Sequence, residues 1–360
     1  MKKQKVIVLF GGVSSEHEVS RMSATSVLRN LDCEKYEVLP VGITKAGRWF
    51  LYTGDIAAIQ SGAWEKGDCT PVSICPGSGV HGLIAFENGS CRAIEADVVF
   101  PVLHGKNGED GTVQGLLDLA GLPYVGCGVL GSAVCMDKVI ANFVLDAAGI
   151  ARCAWDFMEA REIDDFDAIA ARVEAKLSYP IFVKPANAGS SVGISKAHNK
   201  SELKAAVLLA AQHDDRIVFE RFVDGQEVEC AVRGNDVVTS TLPGEILASK
   251  DFYDYEDKYL AGTSRTAIPA QLSEEKLKEV QAAAVKAYRT LCCKGLARAD
   301  FFVERGSGKV LINEINTLPG FTDISMYPKL MMAAGDTYAS LLDSLLALAL
   351  CRAEERHANA

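Results

Sequence analysis

Three common signatures are missing from this 360-residue chain. No G-x-x-x-x-G-K-[ST] loop occurs, so any nucleotide phosphates must be held by something other than a P-loop. No Cys-x-x-Cys pair occurs, and the eleven cysteines are odd in number, which does not describe a disulfide framework. They fall in apolar patterns (Cys135, Cys153, Cys230) or side by side (Cys292-Cys293), as small core residues in a reducing cytoplasm. No apolar run can cross a bilayer, because the longest near the C-terminus, 341–351, is broken by Asp343 and Ser344. The run Val6 to Phe10 ends in Gly11-Gly12, too short for a secretory h-region and well suited to a buried first strand. Basic charge is also scarce. Lys and Arg number 37 against 47 Asp and Glu, a net charge of −10. That argues against nucleic acid or an anionic membrane as the main partner, while leaving room for a local Lys/Arg pocket for a small anion. Neither an internal repeat nor a low-complexity segment is present.

What remains is an ordinary globular composition, 49% hydrophobic and 23% charged, too long for a single core, so two or three lobes are expected. The opening is a βαβ unit: strand Val6–Phe10, a polar turn, a helix with apolar spacing over Ser20–Leu31, and a second strand at Tyr36–Ile43. Glu16 sits in the turn, either beside a ligand or simply as a first-turn carboxylate favoured by the helix dipole. A buried strand at Asp97–Leu103 runs into the glycine-rich tract 104–111, headed by His104, where backbone can approach a ligand closely. Gly126 to Gly131 formally matches G-x-G-x-x-G, with Asp146 twenty residues on, but only Pro123-Tyr124-Val125 precedes it, so the context of a dinucleotide fold is absent. A helix over Ser132–Ala148 would carry Lys138 two turns in.

Further along, strand Tyr179–Lys184 leads into a glycine- and serine-rich flap through Ser195, and Lys184 stands at its root. Backbone N–H groups and an ammonium there would suit a polyphosphate; an ordinary hairpin loop is the alternative. Arg216–Val223 and Glu227–Val232 alternate like a half-exposed antiparallel hairpin. Lys250–Tyr259 is aromatic, charged and without period, as a lid over a site would be. A helix with apolar positions Leu277, Val280, Ala284, Tyr288 and Leu291 follows, and after the segment 321–328 comes a long amphipathic C-terminal helix.

The stretch 298–320 reads as two strands about a Gly306-Ser307-Gly308 turn. An even register about Ser307 sets Asp300 opposite Glu314 and Arg298 opposite Asn316 on one face. Phe301, Val303, Leu311 and Ile315 then fall on the other. Two carboxylates and a carboxamide together suit a hard cation such as Mg²⁺. A solvated Arg–Asp–Glu ion-pair cluster would look the same.

Six motifs in order resemble the D-alanine–D-alanine ligases of the ATP-grasp superfamily over nearly the whole chain. They are GlyGlyValSerSerGluHisGluValSer (11–20), HisGlyLysAsnGlyGluAspGly (104–111), CysMetAspLys (135–138), LysProAlaAsnAlaGlySerSerValGly (184–193), TyrAspTyrGluAspLysTyr (253–259) and AsnGluIleAsnThrLeuProGlyPheThr (313–322). The resemblance implies an α/β ATP-grasp fold in three lobes: 1–126, Rossmann-like and substrate-binding; 127–219, the central lobe; and 220–360, with metal site and lid. It implies ATP-dependent joining of two D-amino acids through an acylphosphate, for peptidoglycan precursors, by a cytoplasmic homodimer using two Mg²⁺ ions, with Mn²⁺ as a possible substitute.

The same resemblance carries roles onto residues. Lys138 and Lys184 would hold the α- and β-phosphates, with Ser190 and Ser191 in the flap. Glu220, Phe222, Val223 and Glu227 would hold adenine and ribose, and Lys258 would reach the γ-phosphate. Asp300, Glu314 and Asn316 match the metal ligands, and Arg298 the cation on the tetrahedral oxyanion. Glu16 would take the first D-alanine's ammonium, with Ser190 and Tyr259 as its partners and His104 by that substrate's carboxylate. Gly320 and Ser325 surround the second carboxylate. The lid's Lys258-Tyr259 ending and apolar Met326 favour D-alanine as second substrate. The tract 96–138 is also similar to D-serine-type relatives, which keeps a D-alanine–D-serine ligase as the alternative. A nicotinamide oxidoreductase or a silent nucleotide-binding protein would be the readings from other classes.

Overall fold

The computed structural model describes residues 2–189, 192–247 and 265–358. Three sheets organise them. The first holds β1 (Gln4–Gly11), β2 (Tyr36–Ile43), β3 (Trp49–Tyr52), β4 (Cys69–Ser73), β5 (Gly82–Glu87), β6 (Ser90–Glu95) and β7 (Val98–Pro101), in the order β6-β5-β4-β3-β2-β1-β7. Only β2, β1 and β7 are parallel; the rest is an antiparallel meander, so the Rossmann-like part is confined to one edge. β1 is buried on both faces, as its unbroken apolar run requires. Ile7 and Leu9 pack into one core with Leu117 and Tyr124. Val6, Val8 and Phe10 point the other way, into a core shared with Leu341, Leu342, Leu345 and Leu346 of the last helix. That shared core ties the N-terminal sheet to the end of the chain.

The second sheet is antiparallel and holds β8 (Trp155–Glu159), β9 (Ile181–Pro185), β10 (Ser195–Ala197) and β11 (Arg216–Arg221), ordered β10-β9-β11-β8. The third holds β12 (Gly225–Gly234), β13 (Thr239–Ser240), β14 (Gly244–Leu247), β15 (Arg265–Ala267), β16 (Gly295–Glu304) and β17 (Val310–Asn316), along the path β15-β14-β12-β16-β17 with β13 on β12. The helix Glu274–Thr290 packs on this sheet through Leu277, Val280, Ala284 and Tyr288, the face its spacing predicts.

Several expectations need correction. β11 and β12 do not form a hairpin; they belong to different sheets, and residues 222–224 carry the chain from one to the other. Ile217 to Glu220 are all buried rather than alternating. The helix expected over 132–148 is two helices, Val129–Met136 and Lys138–Ala147. They break at Asp137, whose side chain leaves the helix to accept from the N–H groups of Val139 and Ile140. Lys138 therefore opens a helix instead of sitting inside one. The C-terminal helix is likewise two, Met326–Ala333 and Tyr338–Ala358. Of the eleven free cysteines, only Cys127, Cys135, Cys153, Cys230 and Cys293 are buried; Cys33, Cys75, Cys91, Cys292 and Cys351 are exposed. Among the described residues, no helix is long and apolar enough to cross a membrane.

Candidate active site

A cavity of about 580 Å³ is lined by strand residues of the second and third sheets and by loops that follow β1 and β7 of the first. Its floor is the sheet face of β12, β16 and β17. The register there places Glu229, Asp300 and Glu314 side by side on three adjacent strands, and Arg298 beside Asn316 one step along. Three carboxylates in neighbouring cross-strand positions repel one another unless cations stand among them. The protein supplies some of that charge. Arg298 donates from Nε to Asp300 Oδ1 at 2.8 Å and from Nη2 to Asp300 Oδ2 at 2.7 Å, while Nε stands 3.0 Å from Glu229 Oε2. Burial alone would lower the guanidinium's affinity for its proton, but Asp300 and Glu229 hold it firmly charged. Lys138 Nζ is 3.8 Å from Glu314 Oε2 and donates to the carbonyl of Ala188 in the flap at 2.9 Å.

The expected register holds at this end of the hairpin and fails at the other. The ladder slips by one residue after Asp300, so that Phe301 faces Ile312 and Val303 faces Val310. Asn313 is the extra residue of the bulge. Leu311 consequently lies with Phe302, Cys153 and Val223 on the cavity side, whereas Phe301, Val303 and Ile315 join the core.

The wall made by the second sheet carries Lys184 on β9 and Glu220 on β11, joined by a 2.6 Å hydrogen bond with both side chains largely buried. Burial opposes the ammonium charge, but the carboxylate more than offsets it and raises the Lys184 pKa. Phe222, Val223 and Glu227 line the cavity where the chain crosses between sheets, and Lys196 lies over the Phe222 ring at 4.0 Å. Ammonium, carboxylate, aromatic ring and crossing backbone thus stand together on this wall.

The third wall comes from the loops that leave the first sheet after β1 and β7. Glu16 is buried in the turn after β1, packed so closely that a Cβ on Gly105 or Gly189 would fall 2.5 or 2.6 Å from its Oε2. Gly105 also has a φ of +68°, so both its geometry and its contact demand glycine. His104 is buried with both ring nitrogens occupied: Nδ1 lies 2.9 Å from the Leu318 carbonyl and Nε2 3.0 Å from Ser23 Oγ, which itself accepts the Phe321 N–H at 3.1 Å. The carbonyl can only accept, so Nδ1 carries the proton and Nε2 takes the Ser23 hydroxyl; this tautomer is assigned from the network. Burial lowers its pKa, in keeping with a neutral ring. His104 thus pins the 318–321 segment to the N-terminal lobe, and its ring nitrogens are spent on protein partners. Beyond it, Ser325 precedes the helix Met326–Ala333 without capping it through its side chain; its Oγ accepts the Thr322 N–H at 3.0 Å and lies 2.7 Å from where a Gly320 Cβ would stand. The Met326 side chain lines the cavity beside it.

With this geometry in place, comparison with known proteins decides the family. The D-ala D-ala ligase N-terminus model matches residues 5–127 and the D-ala D-ala ligase C-terminus model residues 144–347. The chain belongs to the D-alanine–D-alanine ligase family. The ligase family's curated D-alanine–D-alanine ligase from Acetivibrio thermocellus is 50% identical over 97% of this chain and 96% of its own length. The one from Caldicellulosiruptor bescii is 49% identical over 97% of this chain and 96% of its own. Among solved structures, the VanG D-Ala:D-Ser ligase from Enterococcus faecalis superposes with a TM-score of 0.88 at 41% identity, covering 97% of this chain and all of that one. The D-alanine–D-alanine ligase from Coxiella burnetii gives 0.88 at 37%, covering 99% and 97%. The fold is the ATP-grasp fold, and ligases of this family use ATP.

Every site residue expected from the sequence that lies among the described residues lines this one cavity. Ser190, Ser191, Lys258 and Tyr259 lie outside the described residues. The G-x-G-x-x-G match is explained by packing: a Cβ on Gly131 would fall 2.6 Å from the Cys292 carbonyl, and Gly126 and Gly295 stand backbone to backbone. Four acidic residues of the lining, Glu109, Asp224, Glu229 and Glu245, were not among the residues expected from the sequence. Glu229 could have been found from its i, i+2 relation to Glu227 on one strand face. Glu109 lay inside a quoted motif without a role.

The donors also fit a divalent cation. Asp300, Glu314 and the Asn316 amide all carry hard oxygen donors, and Asn316 Nδ2 donates to Asp300 Oδ2 at 2.9 Å, which holds the two side chains together. Among the described residues no three His, Cys, Asp or Glu side chains could enclose a metal alone. Mg²⁺ takes one or two carboxylates and completes its shell with substrate phosphates and water, and Asp300 and Glu314 supply two.

Proposed function

We propose that this chain joins two D-alanines to D-alanyl-D-alanine with ATP, through a D-alanyl phosphate, as a step toward peptidoglycan precursors. The observation that carries the reading is the Glu229–Asp300–Glu314 row with Arg298 beside it, at the meeting point of the wall that carries Lys184 and Glu220 and the wall that carries Glu16 and His104. In this reading Lys138 and Lys184 hold the α- and β-phosphates, and Glu220, Glu227 and the Phe222–Val223 backbone hold the nucleoside. Ser190, Ser191, Lys258 and Tyr259 belong to the same proposal, closing flap and lid over the phosphates and Glu16. Asp300, Glu314 and Asn316 would hold Mg²⁺, or Mn²⁺ in its place, which when bound neutralises the transferring phosphoryl group.

Glu16 takes the first D-alanine's ammonium and orients its carboxylate toward the γ-phosphate. The carboxylate oxygen attacks phosphorus, ADP leaves, and an acylphosphate remains. The second D-alanine lies with its carboxylate at Gly320 and Ser325, where free N–H groups at a helix start favour an anion. Its amine attacks the acyl carbon, and Arg298 stabilises the oxyanion of the tetrahedral intermediate before phosphate departs. His104 acts from behind, holding Leu318 and Phe321. The lobes 1–126, 127–219 and 220–360 are the proposed units, and a cytoplasmic homodimer is the proposed assembly.

D-serine is the second reading for the acceptor, favoured by the structural match to a D-Ala:D-Ser ligase. Met326 supports D-alanine, because a thioether side chain offers a methyl group contact and a hydroxymethyl no strong partner. Phosphate release with ATP and Mg²⁺ separates the two. We expect turnover with D-alanine alone, and predominantly D-alanyl-D-alanine by mass spectrometry when D-serine is present in equal amount. A predominance of the mixed dipeptide would transfer the proposal to D-serine, and no amino-acid-dependent phosphate would end it.

A further inference from the structure

The reaction brings two ammonium groups into the cavity, and only one carboxylate, Glu16, has so far been given one. A second carboxylate stands at the same place. Glu109 lines the cavity and accepts the Gly105 N–H through Oε2 at 2.8 Å, while Glu16 lies against the Cα side of that same glycine. Two acids therefore flank one residue. Among the described residues the other Glu109 oxygen makes no hydrogen bond. Among the described residues no ion pair engages Glu109, whereas Asp300, Glu220 and Glu229 each have a cationic partner.

From this geometry we propose that Glu109 is a catalytic residue that receives the ammonium of the second amino acid and takes a proton from it. The inference rests on the ligase reading above and deepens it. The nitrogen enters with three protons and leaves in the amide with one. One proton passes to the Glu109 carboxylate, freeing the lone pair that forms the C–N bond. The second leaves with the phosphate as the C–O bond to it breaks. Two properties of the place suit that work. Burial, and then the charge of Glu16, raise the Glu109 pKa well above the ordinary carboxylate value, which makes it a stronger base than a solvated glutamate. Glu314 adds to the upward shift, and the Gly105 N–H and the nearby Arg298 charge act in the opposite sense.

Glu109→Gln separates this role from a structural one, because the amide oxygen can still accept the Gly105 N–H and hold the loop. The probes are ATP and Mg²⁺ with D-alanine alone, and the same with hydroxylamine, a neutral nucleophile that captures an acylphosphate as the hydroxamate without surrendering an ammonium proton first. In Glu109→Gln we expect dipeptide formation to fall about 10²-fold, the usual scale for loss of a general base, with hydroxamate formation within about threefold of the unsubstituted chain. Glu109→Asp should recover part of the dipeptide rate. Equal loss of both products, or loss of neither, overturns the proposal. Absence of both products from the unsubstituted chain would instead overturn the ligase reading itself.

Discussion

Arg298→Ala is expected to lower kcat by about 10²-fold or more while ATP still binds, the scale for removing a group that contacts charge developed in the transition state. The structure adds a second consequence. Arg298 is paired with Asp300 and lies 3.0 Å from Glu229, both of which are buried. Taking the guanidinium away leaves neighbouring carboxylates facing one another, which costs about 3 kcal/mol or more of stability where a buried pair is broken. Steady-state rates on protein shown folded by circular dichroism, with nucleotide binding measured separately, distinguish the two effects. An unchanged kcat would mean that Arg298 only holds the carboxylate row together.

Lys184→Met is the second large effect. The Lys184–Glu220 bond crosses from β9 to β11 in the wall of the nucleotide pocket, and the strands pair next to it at Glu220↔Phe182 and Val218↔Lys184. The variant should lose about 3 kcal/mol in denaturant unfolding, because Glu220 keeps a charge with no close partner. Its KM for ATP should rise more than about tenfold, because a phosphate-binding ammonium is gone. Adding Glu220→Gln should restore most of the stability and none of the ATP affinity. If the double variant recovered both, Lys184 would be a structural residue with no phosphate contact.

The legible parts of this chain were those where local pattern and tertiary structure agree. β1 and β2, the helix carrying Leu277 to Tyr288, and the pairing of Asp300 with Glu314 all follow from period and turn position. The hairpin's lower half was not legible, because a bulge is one extra residue, Asn313, that no periodicity announces. Nor was the parting of β11 from β12. Asp224-Gly225 looks like a hairpin turn, yet the chain crosses there between sheets, and long-range pairing overrides the local turn signal. The helix break at Asp137 hides in a sequence where Met136-Asp137-Lys138 could continue a helix; it takes Arg216, ion-paired to Asp137, to show why the break is held. Glu109 was invisible for a different reason. Its importance lies in standing across Gly105 from Glu16, and that relation exists only in three dimensions.

The central claim is that the carboxylate of an amino acid attacks ATP and is carried forward as an acylphosphate. D-Alanine labelled with ¹⁸O in both carboxylate oxygens tests it directly, with the released inorganic phosphate analysed by mass spectrometry. One ¹⁸O is expected in each phosphate, transferred from the bridging oxygen of the intermediate. Phosphate formed in step with dipeptide but free of ¹⁸O would contradict it.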